Sequence, residues 1–68
     1  MALQEMEGTI KMYNLKYKEG VIRTKKRKEY IFQLEDWEDE GRPKNGDHVY
    51  FTPSRENGVD WAVDHGDF

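Results

Sequence analysis

The segment Glu29-Tyr30-Ile31-Phe32-Gln33-Leu34 constrains the fold more than any other part of the chain. Tyr30 and Phe32 alternate with Glu29, Ile31 and Gln33, the period-two pattern of a strand with one face turned inward. Four other short segments carry related signals. They are Glu7 to Tyr13, Lys18 to Arg23 with β-branched Val21 and Ile22, Asp47 to Thr52 with Val49 and Phe51, and Val59 to Asp64 with Val59, Trp61 and Val63. Turn formers separate them: Asn14, the cationic link Thr24 to Lys28, the run from Gly41 to Asp47, and Glu56-Asn57-Gly58. The acidic stretch Glu35 to Glu40, with Trp37 inside it, is read as one helical turn.

Five short strands without a long helix predict an all-β fold, a small five-stranded antiparallel barrel of the OB type. The chain has 68 residues, enough for a single domain spanning 1–68 with its barrel at about 7–64. A domain of this size buries only roughly 60% of its unfolded surface, and without cysteine it has no disulfide to staple it. Closing the sheet removes exposed edges and makes the most of a small core. Alternation places Ile10, Ile22, Tyr30, Phe32, Val49 and Phe51 inside, with Trp37 and either Trp61 or Ala62 closing an end.

Charge is uneven along the chain. The net charge is −3, but residues 1–34 hold eight Lys/Arg against four Asp/Glu, a balance of +4. Residues 35–68 hold three against ten, a balance of −7. The basic half contains Lys11, Lys16, Lys18, Arg23 and Lys25 within a run reaching Lys28, interleaved with Tyr13 and Tyr17. Cations among aromatic rings suit a single-stranded nucleic acid, whose phosphates and bases they contact separately. The same basic run is also the composition of a solvated hairpin tip, and the acidic segment that of a solvated loop or a site for a basic partner.

Other chemistries find little support. A lone serine, Ser54, and the lack of cysteine leave no activated nucleophile at recognisable spacing, so no enzymatic activity is expected. His48 and His65 lie far apart, and His65 with Asp64 and Asp67 is a poor metal site, so no metal or other cofactor is expected. Met1 to Glu7 lacks a signal-peptide pattern, and no run approaches the roughly 20 apolar residues of a membrane span. The expected setting is the cytoplasm, with no membrane partner.

The order and spacing of four motifs resemble the cold shock domain family, OB-type barrels that bind single-stranded RNA and DNA. Gly8-Thr9-Ile10-Lys11, followed by an apolar residue, an aromatic and Asn14, resembles the family's first strand. Gly20 and Ile22 keep the register of its second. Glu29 to Trp37 resembles the third strand and the turn after it, and Pro43 with Asn45 to Phe51 resembles the entry to the fourth. The resemblance implies binding of single-stranded nucleic acid, of the RNA-chaperone or expression-regulating type.

The departures fall on the implied binding face. Met12 stands where the family usually has Trp, and Tyr13 keeps a ring at a Phe position. Glu19, Val21, Ile31 and Leu34 replace Phe, and Gln33 replaces His. Of these seven positions only Tyr13 offers a ring. The binding set implied is therefore Lys11, Met12, Tyr13, Lys16, Tyr17, Lys18, Val21, Arg23, Lys25, Ile31 and Gln33. Stacking a base contributes about 1–3 kcal/mol, so losing three rings costs about 3–9 kcal/mol and leaves affinity dominated by charge. The competing expectation is a protein-interaction or self-association module on a barrel that has lost nucleic-acid binding.

Overall fold

A computed structural model describes residues 5–37 and 43–67. The alternating segments form β1 (Met6–Asn14), β2 (Glu19–Arg23), β3 (Glu29–Gln33), β4 (His48–Glu56) and β5 (Val59–Asp67). They close in the order β1-β2-β3-β5-β4, so the fold is a small all-β barrel of the OB type. The acidic helical turn is a single 3-10 turn at Leu34–Asp36, and Glu38 to Glu40 lie outside the described residues. Among the described residues, no helix is long and apolar enough to cross a membrane.

One pairing departs from the antiparallel expectation. A closed ring with an odd number of strands cannot alternate direction all the way round, so at least one neighbouring pair must run parallel. That pair is β3–β5, and it is short: Ile31 faces Trp61 and Phe32 faces Ala62. An isolated parallel bridge from Trp37 to His65 extends the seam. The His65 side chain reinforces it, its Nε2–H donating to the Gln33 carbonyl oxygen at 2.8 Å.

The core contains the six residues that alternation placed inside, Ile10, Ile22, Tyr30, Phe32, Val49 and Phe51, all buried. Of the two candidates on β5, Ala62 turns inward, while Trp61 is only half-buried. Trp37 packs against the core from one end. Each large apolar side chain buried this way stabilises the fold by roughly 1.5–3 kcal/mol. The fully buried His65 is an addition that alternation did not foresee.

Two β-bulges explain where alternation breaks. On β1, Ile10 pairs with Ile22 and Met12 with Val21, so Lys11 is an extra residue. A one-residue insertion exchanges the faces beyond it. Ile10 points in, Lys11 and Met12 are exposed, and Tyr13 turns back toward the core. On β5, Thr52 pairs with Val63 but Tyr50 with Gly66, so β5 also carries an extra residue. Asp64 there has φ 50, and His65 is thereby sent inward.

Both bulges deliver a ring to Phe32. Tyr13 stacks on it at 5.8 Å between centroids and 11° between planes, and His65 meets it edge-on at 5.0 Å. Beneath the ring lies Gly20, where a Cβ would come within 2.7 Å of two Phe32 ring carbons and also meet the Met12 carbonyl oxygen. The strands β4 and β5 also outrun their expected ends. Pro53 is tolerated inside β4 because it lies beyond Phe51, the last described partner of β1 on that strand. The Asn57-Gly58 turn, with φ values of 52 and 77, is a two-residue hairpin loop of type I′.

Gly20→Ala is expected to destabilise the barrel by about 1–3 kcal/mol, because neither the Phe32 ring nor the Met12 carbonyl can move aside cheaply. Urea unfolding followed by circular dichroism checks this. A midpoint equal to that of the wild type would show that the packing around Phe32 is looser than described.

Candidate functional site

The outward face of the sheet follows from the register. With Tyr30, Phe32 and Ala62 inside, Ile31 and Trp61 point out, and so does Val21 opposite Ile31. Met12 pairs with Val21 and is 53% exposed. Met12, Val21, Ile31 and Trp61 therefore form one cross-strand row over β1, β2, β3 and β5, with exposed Ser54 of β4 beyond Trp61. Neighbours in such a row contact one another directly. One flanking row holds Asn14, Glu19 and Gln33, and the other Thr9, Arg23 and Glu29. A shallow depression of about 210 Å³ opens here, lined by Met12, Tyr17, Glu19, Val21 and Ile31 among others.

Tyr17 reaches this depression because the β1–β2 turn is shaped by Asn14. Its Oδ1 accepts the backbone N–H of Lys16 at 2.9 Å and of Tyr17 at 3.4 Å, a side-chain-closed turn. Lys18 completes the turn at φ 55, and its carbonyl accepts the Leu34 N–H at 2.8 Å. Tyr17 is 65% exposed, with the Lys16 ammonium 5.6 Å from its ring centroid. An exposed ring beside a cation offers a flat apolar face and a positive charge together.

The cations on the other edge are partly committed. Lys11 Nζ donates to Glu29 Oε2 at 2.8 Å, and Arg23 Nε lies 3.9 Å from the same oxygen. The Lys11 hydrogen bond is the largest cause holding the Glu29 carboxyl below its ordinary 4.5, and the charges of Lys11 and Arg23 add to it against desolvation. A carboxyl lowered in the folded state contributes stability above its unfolded pKa and loses it as pH falls through the folded value. The ion pair is therefore formed at neutral pH and released in acid. Both partners are exposed, so its contribution to stability is small. The glutamate does, however, offset the charge that this edge presents to an anion.

The basic hairpin between β2 and β3 is ordered by Thr24. Its carbonyl accepts the Arg27 N–H at 2.9 Å, and its Oγ1 accepts the Lys28 N–H at 3.3 Å. Lys28 turns back over the Tyr30 ring at 5.3 Å and lies 4.0 Å from Asp60. Lys25 and Lys26, with Arg23 and His48, line a separate depression of about 470 Å³ beside the start of β1.

The expected binding residues thus separate into groups. Met12, Val21, Ile31 and Gln33 share the outer face, with Lys11 and Arg23 on one edge and Lys16, Tyr17 and Lys18 in the adjoining turn. Lys25 stands apart on the second depression. Tyr13 is not on this face. Its ring lies against Phe32 and its hydroxyl is buried with no hydrogen-bond partner among the described residues. The Lys11 bulge is the reason. Trp61 joins the face instead, a position that strand alternation alone left ambiguous. Among the described residues, no cluster of His, Asp or Glu could hold a metal ion.

No protein-family model matches the chain, and no curated protein matches it.

Substituting Lys11 by Met should raise the Glu29 pKa toward its ordinary value, since the largest cause of the lowering is removed. Carboxyl carbon shifts followed by NMR through an acid titration report this directly. An unchanged Glu29 midpoint would mean that the pair does not hold in solution.

Proposed function

We propose that the protein binds single-stranded RNA or DNA, without catalysis, across the outer face of β1 to β3. The observation that carries this reading is the row Met12, Val21 and Ile31, flanked by Lys11 and Arg23 on one side and by Gln33 and the Lys16-Tyr17-Lys18 turn on the other. The apolar row contacts base faces, Tyr17 stacks, and Gln33 hydrogen-bonds base edges. The lysines and Arg23 hold phosphates. The resemblance of the motifs to cold shock domains supports the same reading, and with it a cytoplasmic role as an RNA chaperone or expression regulator.

The chemistry of the face sets the character of the binding. Aliphatic side chains lack the polarisable face of a ring, so each base gains less than the roughly 1–3 kcal/mol of aromatic stacking. Phosphate contacts then supply most of the affinity and carry no sequence information. Binding is modest, weakly selective and steeply dependent on salt. Glu19 within the face and Glu29 at its edge weaken it further through repulsion.

A second reading rests on those two glutamates and on the aliphatic row. An apolar strip bordered by mixed charge suits a protein partner or a second copy of the chain.

Titration of fluorescein-labelled oligo-dT and of a mixed-sequence RNA at low and moderate salt separates the two. The expected slope of log affinity against log salt is roughly −2 to −3.5, the release from three to five phosphates. Tyr17→Ala should weaken binding roughly fivefold or more, and Glu29→Gln should strengthen it. No binding at low salt would overturn the proposal. Concentration-dependent sedimentation in that case would favour the interaction module.

A further inference from the structure

We infer that Trp61 is a base-stacking contact, and that the nucleic-acid face continues across the parallel seam onto β5. This rests on the nucleic-acid reading above and adds to it a strand and a ring. Trp61 stands directly beside Ile31, as the end of the row that begins at Met12. Its neighbour Ala62 is buried beside Phe32, so the indole projects outward. It is half-buried, which leaves part of the ring open to solvent.

The surroundings suit a nucleotide. Exposed Ser54 lies opposite Trp61 on β4 and offers a hydroxyl to a sugar or phosphate. Three gaps between neighbouring strands separate Met12 from Trp61, about 14 Å in all, so a single strand laid along the row reaches from one to the other. The face then has rings near both ends, Tyr17 beside β1 and Trp61 on β5, with aliphatic contacts between them.

The chain has two tryptophans, and only one of them is on this face. Trp37 packs against the core, its ring 5.2 Å from that of His65 and its Nε1 buried. In a Trp37→Phe background, whose fold is checked by thermal melting, Trp61 is the sole indole emitter. Unlabelled oligo-dT should quench it.

In the otherwise wild-type chain, Trp61→Leu keeps an apolar side chain without the indole, and Trp61→Phe keeps a ring. The leucine variant should bind roughly fivefold or more weakly. Its salt slope should be unchanged, because stacking releases no counterions. The phenylalanine variant should retain most of the affinity. A leucine variant that binds oligo-dT as tightly as wild type overturns the assignment of Trp61 and leaves the nucleic-acid reading standing. A wild-type chain that binds nothing at low salt overturns the nucleic-acid reading itself.

Discussion

The Phe32 ring organises this barrel. It is fully buried, with Tyr13 stacked on one side, His65 against it edge-on, and the bare backbone of Gly20 beneath. Each neighbour requires a local departure from regular strand geometry. Tyr13 arrives through the Lys11 bulge and His65 through the bulge at Asp64. In a domain with so little interior, turning two rings onto one phenylalanine fills the end of the core that the aliphatic residues do not reach. Tyr13 and Trp37 each bury a polar atom there that finds no partner among the described residues. A buried polar group without a partner is costly, so packing must outweigh that loss.

The outer surface follows from the same arrangement. Because the β1 bulge sends Tyr13 inward, Met12 takes its place on the exposed face. Because five strands close only through a parallel pair, β3 meets β5, and Ile31 comes to lie beside Trp61. The result is an apolar row crossing four strands, with cations at its edges and two glutamates among them. A face poor in rings binds bases weakly, and the Glu29 carboxylate shared by Lys11 and Arg23 reduces the charge available to phosphates. On the nucleic-acid reading proposed above, these features make the binding charge-led and weakly selective rather than a tight sequence readout.

Much of the fold was legible in the sequence. Alternation in Tyr30-Ile31-Phe32, in Val49-Tyr50-Phe51 and around Ile10 and Ile22 identified six core positions, because side-chain direction in a strand follows a strict period of two. Asn57-Gly58 announced its hairpin, since both residues accept positive φ. The bulges were not legible. Neither Lys11 nor Asp64 carries a side chain that demands an inserted residue, and the face exchange that each produces depends on pairing with a distant strand. That is why Tyr13 was expected outside and His65 was not expected inside. That one neighbouring pair must run parallel already follows from five strands in a closed ring; that the pair is β3–β5 was not legible, because it depends on the order in which the strands meet. Trp61 was consequently ambiguous until Ala62 was seen to fill the core.

The location of the binding face is the central claim, and NMR shift mapping tests it most directly. With unlabelled oligo-dT added at low salt, the methyl signals of Met12, Val21 and Ile31 and the indole signal of Trp61 should move together, and the indole signal of Trp37 should stay in place. Absence of any shift at excess oligonucleotide would contradict the account. So would shifts confined to Lys25, Lys26 and His48, because they would place the ligand in the separate depression beside the start of β1.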